Sequence, residues 1–218
     1  MAGLRAKGVS RVVNGPKRPV TVVAPWDTAV PPGTCLALTG PGDSGVRAAL
    51  RLLSGLDRAS SGTVEWVGST GDVVAEASDW RTFRRHVLFL PALAHLLAAD
   101  PGGLRSRFPE VVTSDARTSP DGDLAVALDL AIGWSASAVL VDAGGLLPNA
   151  GIRRRLTDSV RALKRAGRAV VLVGQDERLL AAVADRVEVW LDGVVVGDGP
   201  PEGFLAAATS AARAEGLL

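Results

Sequence analysis

Residues 40 to 47 of the chain read Gly40-Pro41-Gly42-Asp43-Ser44-Gly45-Val46-Arg47. A glycine, four residues and a second glycine is the spacing of a loop whose backbone N–H groups cradle phosphates. Lysine and then serine or threonine normally follow, supplying a cation for the β- and γ-phosphates and a hydroxyl for Mg²⁺. Here Val46 stands at the lysine position and Arg47 at the hydroxyl position. The frame for holding a nucleotide is present, while the two groups that make binding productive are replaced. The glycines admit two readings. The simpler is that a tight strand-to-helix turn requires them. The other is that they still form an anion-binding nest at a helix N-terminus.

Other residues capable of chemistry form no constellation. His86 and His95 lie near no cysteine and no paired carboxylates at metal-ligand spacing. Ser44, Ser119 and the two histidines make no hydrolase pattern, and no Gly-x-Ser-x-Gly elbow occurs. The single cysteine, Cys35, sits in an apolar stretch and reads as a small buried hydrophobe in a reducing compartment. Trp26, Trp66, Trp80, Trp134 and Trp190 are dispersed and read as packing residues.

A net charge of +1 gives no reason to expect a nucleic acid or an anionic membrane surface as partner. Arg153-Arg154-Arg155 reads as the solvated start of a helix. Apolar content of 47% with 22% charged residues is the composition of a folded globular chain. No apolar signal core opens the sequence, and no apolar run reaches the ~18–20 residues that span a bilayer. A cytoplasmic protein is expected, without direct membrane insertion and peripheral to a membrane only through a partner.

These positions must be held by elements that the pattern places in order. Strand-like segments are Thr21–Ala24, Cys35–Thr39, Thr63–Val67, His86–Leu90, Ala138–Asp142, Ala169–Val173 and Val187–Leu191, with Val194–Val196 returning after the Asp192-Gly193 turn. Helix-like segments are Arg47–Leu56, Asp123–Gly133, Ile152–Ala166, Glu177–Ala184 and Pro201–Ala212, the last opened by Pro200-Pro201-Glu202. Alternation of strand and helix from Cys35 to Val173 predicts a mainly parallel sheet covered by helices. Thr21 to Val67, rich in strands and turns, predicts an antiparallel edge region.

With those elements placed, the chain resembles the ATP-binding subunit of ABC transporters along most of its length. Pro31-Pro32-Gly33-Thr34-Cys35-Leu36-Ala37-Leu38-Thr39-Gly40-Pro41 is similar to the family's approach to its phosphate loop. Leu50 to Asp57 and Ser61-Gly62-Thr63-Val64 are similar to the stretch that follows. Val139-Leu140-Val141-Asp142 resembles the strand that ends on a metal-binding aspartate. Val183 to Val187, Asp192-Gly193 and Gly197 to Glu202 match the family's C-terminal stretch.

The resemblance implies roles that most of the matching positions do not fill. The aromatic residue that stacks on adenine falls at Val13, and the glutamine that senses the γ-phosphate falls at Ala92. The signature Leu-Ser-Gly-Gly-Gln becomes Thr118-Ser119-Pro120-Asp121-Gly122. After Asp142 the catalytic glutamate is Ala143, the next motif reads Leu146-Leu147-Pro148-Asn149, and the switch histidine is Gln175. Vestigial nucleotide positions are thus Gly40, Gly42, Asp43, Ser44, Gly45, Val46, Arg47 and Asp142, with Ser119 and Gly122 left in the signature loop. No catalytic residue and no metal site remain.

Losing a charged hydrogen-bonding group costs roughly 1.5–3 kcal/mol, and a stacking aromatic about 1–3 kcal/mol. Together these weaken binding by roughly 10²–10⁴-fold. Loss of a positioned general base removes a further ~10²–10⁴ in rate. The interval from Ala92 to Thr118, which in the family holds a helical subdomain gripping the membrane subunit, is short, and Pro101–Asp121 is poor in helix formers.

The expectation is therefore a single α/β domain over 1–218. It is P-loop NTPase-like, with a mainly parallel sheet flanked by helices, an antiparallel β edge region and a helical subdomain shortened to 92–122. Its expected function is a non-hydrolysing interaction or scaffold subunit. The alternative is a subunit contributing a degenerate, ATP-holding site to an asymmetric pair. ATP with Mg²⁺ is expected to bind weakly if at all. The expected partner is a protein: an ABC ATPase subunit, a membrane subunit or a second copy.

Overall fold

The computed structural model describes residues 2–90, 131–144, 149–206 and 216. One sheet is antiparallel: β1 (Gly3–Asn14), β2 (Pro19–Val30), β4 (Ser61–Val67) and β5 (Val73–Glu76), in the order β2-β1-β4-β5. The other contains β3 (Cys35–Thr39), β6 (Val87–Leu90), β7 (Ala138–Ala143), β8 (Ala169–Gly174), β9 (Arg186–Leu191) and β10 (Val194–Gly199). Its order is β10-β9-β3-β8-β7-β6, parallel throughout except for β10, which returns antiparallel to β9. Five helices are described: α1 (Val46–Leu53), α2 (Trp80–Phe83), α3 (Ala150–Arg165), α4 (Glu177–Val183) and α5 (Pro201–Phe204).

Every residue of β7 and β8 is buried, as continuous apolar strands must be when both faces are covered. Alternate side chains then serve two cores. Cys35, Ala37, Val139, Val141, Val170 and Leu172 pack with Leu156, Val160 and Leu163 of α3 and Leu180 of α4. Leu36, Leu38, Leu140 and Val171 face the other way, against Leu50 and Leu53 of α1 and Trp26 and Trp66 of the antiparallel sheet. The β9–β10 turn carries positive φ at both Asp192 (49°) and Gly193 (80°), the geometry that matches strand twist in a two-residue hairpin.

The parallel sheet and the antiparallel edge region agree with the sequence pattern. Several limits differ. The segment Thr21–Ala24 is the middle of a longer strand, β2, and β5 and α2 carry no sequence signal long enough to register. Helix α1 stops at Leu53, before the expected Leu56, because Gly55 turns at φ +70° while the Leu56 N–H bonds back to the Arg51 carbonyl at 3.0 Å. The expected helix Asp123–Gly133 falls mostly outside the described residues, and so does the expected reduced subdomain over 92–122. Helix α5 is described over Pro201–Phe204, and the rest of the expected Pro201–Ala212 helix lies almost wholly outside the described residues.

Candidate functional site

The C-terminal ends of parallel strands form the crevice where an α/β sheet binds ligands. Here β3, β8 and β7 deliver Thr39, Gly174 and Asp142-Ala143 to one edge. Register pairs Leu38 with Val173, Asp142 with Val173 and Ala143 with Gly174, and the Thr39 hydroxyl donates to the Gly174 carbonyl at 3.2 Å. The segment Gly40 to Gly45 leaves β3 at this edge and enters α1.

Local geometry explains the loop's glycines. Gly45 caps α1 in the left-handed region, at φ +91°. A Cβ there would lie 2.6 Å from the Val22 carbonyl oxygen and 3.0 Å from the Gly193 Cα. A Cβ on Gly40 would lie 2.3 Å from the Trp190 carbonyl oxygen. The loop is thus backed by β2 and by the β9–β10 turn, and the Gly193 N–H donates to the Ser44 carbonyl at 2.8 Å. Pro41, Gly42 and Asp43 form its exposed tip, closed by the Ser44 N–H to the Pro41 carbonyl at 3.0 Å. The Ser44 hydroxyl is buried beneath the loop with no hydrogen-bond partner.

Val46 turns inward and joins the core between the two sheets. Arg47, one residue on, reaches across the strand ends. Its Nε lies 3.4 Å from Oδ2 of Asp142. The aspartate's other oxygen, Oδ1, accepts the Gly144 N–H at 2.9 Å. A Cβ on Gly144 would be 2.7 Å from Nη2 of Arg47, so the absence of a side chain there leaves the space the guanidinium fills. Sequence spacing alone placed Arg47 about 100° around the helix from the lysine position. That rotation is what aims it at Asp142, and Gly144 carried no signal of its own.

The remaining positions separate. Ala143 is buried at the end of β7, and Gln175 is exposed after β8. Beside Gln175, Asp176 caps α4 by accepting the Arg178 and Leu179 N–H groups at 3.1 Å, and takes the Arg153 Nε at 2.8 Å. This pins the loop after β8 to α3. Val13 lies on β1 opposite Val20. Ala92, Ser119, Gly122 and Leu146 to Pro148 lie outside the described residues. Among the described residues no group of three or more His, Cys, Asp or Glu side chains is placed to hold a metal ion, and no helix is long and apolar enough to cross a membrane. A groove of about 620 Å³, lined by Leu56, Arg58, Trp80 and Arg84 among others, contains none of the loop positions.

The likenesses of the whole chain point one way. It is 30% identical over 203 residues to the cobalt import ATP-binding protein CbiO of Rhodobacter capsulatus, covering 78% of this chain and 70% of that one. It is 26% identical over 208 residues to the Fe(3+) ions import ATP-binding protein FbpC 1 of Rhizobium meliloti. The chain spans 57% of that relative's length and only 36% of another, an ATP-binding protein of Streptomyces coelicolor. Among solved structures it is similar to a dimeric ATP-binding cassette in a post-hydrolysis state with ADP and phosphate bound, with a TM-score of 0.69 and 18% identity over 92% of this chain and all of that one. A nucleotide-free ATP-binding cassette gives a TM-score of 0.64 at 14% identity, covering 96% of each chain. At those identities the two structures speak for the fold alone. No protein-family model matches the chain.

Proposed function

The chain belongs to the ATP-binding proteins of ABC transporters, and from that premise we propose that it is a member that does not hydrolyse ATP and acts through protein contacts. The observation that carries this reading is the pairing of Arg47 with Asp142 at the ends of β3 and β7. In a working site that aspartate and a hydroxyl at position 47 would share a Mg²⁺ ion. Ala143, beside it, has no group to accept a proton from water, and Gln175 takes the place of a switch histidine. With Val46 turned into the core, no lysine neutralises the phosphates.

On this reading the protein is a scaffold or interaction subunit in the cytoplasm. It docks on an intact ATPase subunit, a membrane subunit or a second copy, and reaches a membrane only through that partner. A second reading is a degenerate site that holds ATP within an asymmetric pair, for which the glycines of the loop and Asp142 remain in place. Phosphate release from Mg·ATP separates a working ATPase from both. The purified protein should give none above background, and a turnover that disappears in Asp142→Ala would sink the proposal. Saturable micromolar ATP binding that requires Mg²⁺, without turnover, would promote the second reading.

A further inference from the structure

Mg²⁺ demands a nearly octahedral set of oxygen ligands at short range and gives up its waters reluctantly. At this strand edge the carboxylate oxygens are those of Asp142, and both are engaged, Oδ2 by Arg47 at 3.4 Å and Oδ1 by the Gly144 N–H at 2.9 Å, while the Thr39 hydroxyl donates to the Gly174 carbonyl. No hydroxyl stands at position 47 to join them. Gly144 leaves the space that the guanidinium fills, so a divalent ion at Asp142 would have to displace Arg47 or sit beside it. Even at the dielectric constant of water, charges of +2 and +1 at ~4 Å repel enough to lower affinity by about thirtyfold. The residues present do not fit the metal.

They do fit an anion. The first N–H groups of α1 have no intrahelical acceptors, and Gly45 at φ +91° sets the turn that leads into them. The Ser44 hydroxyl, 1% exposed and without a partner, points across the loop at Gly40, where a Cβ would meet it at 2.8 Å. The Arg47 side chain is about half exposed, so its outer nitrogens remain within reach of a ligand. We propose that Arg47 is the resident cation of this loop, holding Asp142 in place of a divalent ion, so that the loop takes an oligophosphate that arrives without metal and Mg²⁺ works against binding. The inference shares with the proposed function only the view that the site is not hydrolytic.

Inorganic tripolyphosphate is the suitable probe, because it carries no adenine and makes the valine at position 13 irrelevant. Titration calorimetry on the full chain should detect binding in EDTA, weakened about tenfold by excess Mg²⁺, the repulsion above being partly screened by salt. In Arg47→Ser, affinity in EDTA should fall about tenfold and the antagonism by Mg²⁺ should vanish. Gly144→Ala supplies a second test that keeps the charge: its methyl group displaces the guanidinium, and the Mg²⁺ antagonism should change there too. Absence of tripolyphosphate binding in EDTA, tighter binding with Mg²⁺ in the wild-type chain, or an unaltered Mg²⁺ response in both variants overturns the inference. Phosphate release from Mg·ATP, measured on the same samples, would overturn both readings. Loss of the tripolyphosphate result without any phosphate release overturns the inference and leaves the proposed function standing, so the two failures are distinct.

Discussion

Gly45→Ala tests whether the loop glycines belong to the turn or to a ligand. At φ +91° an alanine enters the left-handed region at a cost of about 1–2 kcal/mol. Its Cβ would also stand 2.6 Å from the Val22 carbonyl oxygen and 3.0 Å from the Gly193 Cα. Both are backbone atoms held in place. Val22 belongs to β2, while Gly193 donates to the Ser44 carbonyl at 2.8 Å and accepts the Ala24 N–H at 2.9 Å. Moving either strains hydrogen bonds worth about 0.5–1.5 kcal/mol each. The sum is about 3 kcal/mol, and at 2–4 °C per kcal/mol for a chain of this size the melting temperature should fall by roughly 6–12 °C. Thermal unfolding without any anion, followed by the fluorescence of buried Trp26 and Trp190, measures it. Gly42→Ala is the control: its Cβ would meet nothing within 4 Å and its φ is not positive, so its melting temperature should match the wild type. A Gly45→Ala variant within about 2 °C of the wild type would refute the argument from the turn.

The other predictions concern the core and the assembly. Glu188, 2% exposed, accepts Trp26 Nε1–H at 3.1 Å, the Thr28 hydroxyl at 2.7 Å and the Arg186 guanidinium at 2.6 Å, tying β2 to β9 behind the loop. Glu188→Ala should cost about 3 kcal/mol in urea unfolding by stranding those donors. Burial pushes the Glu188 carboxyl above its ordinary 4.5, against the opposing pull of Thr28 and Arg186. The folded chain therefore binds this proton more readily than the unfolded one. Its contribution to stability falls as pH rises from 4.5 through the folded value, and Glu188→Gln should remove that slope. Burial likewise pushes the Cys35 thiol up to about 12, so thiol reagents at neutral pH should label it only after unfolding. With no lysine in the loop, ATP should not be what holds an assembly together. Light scattering after size exclusion should give one mass in Mg·ATP and in EDTA, and a dimer formed only with ATP would contradict the scaffold reading.

How much of this was legible depends on whether the deciding contact is local. Strands β3, β7 and β8 announce themselves because both faces are buried and apolar residues run consecutively through most of each, up to Thr39 in β3 and Asp142 in β7. The β9–β10 hairpin announces itself through Asp192-Gly193. Strand β1 does not, because Arg5 and Lys7 are balanced by Glu65 on β4, at 2.6 and 3.2 Å, by a segment far along the chain. A break in register between Ala6 and Val9 further blurs its alternation.

The site divides in the same way. Counting along the phosphate loop locates Val46 and Arg47, and it describes them as two losses. Asp142 reaches Arg47 from β7, which β8 separates from β3 in the sheet. Gly144 acquires meaning only once the guanidinium beside it is placed. Positions 47, 142 and 144 are therefore one unit: an arginine, its counter-ion and the room it occupies. Removing the guanidinium alone leaves Asp142, 12% exposed at its side chain, without a cation in a poorly solvated crevice. Changes at 47 and 142 should for that reason be non-additive in stability, and a double-mutant cycle between them reads the coupling of arginine and aspartate directly.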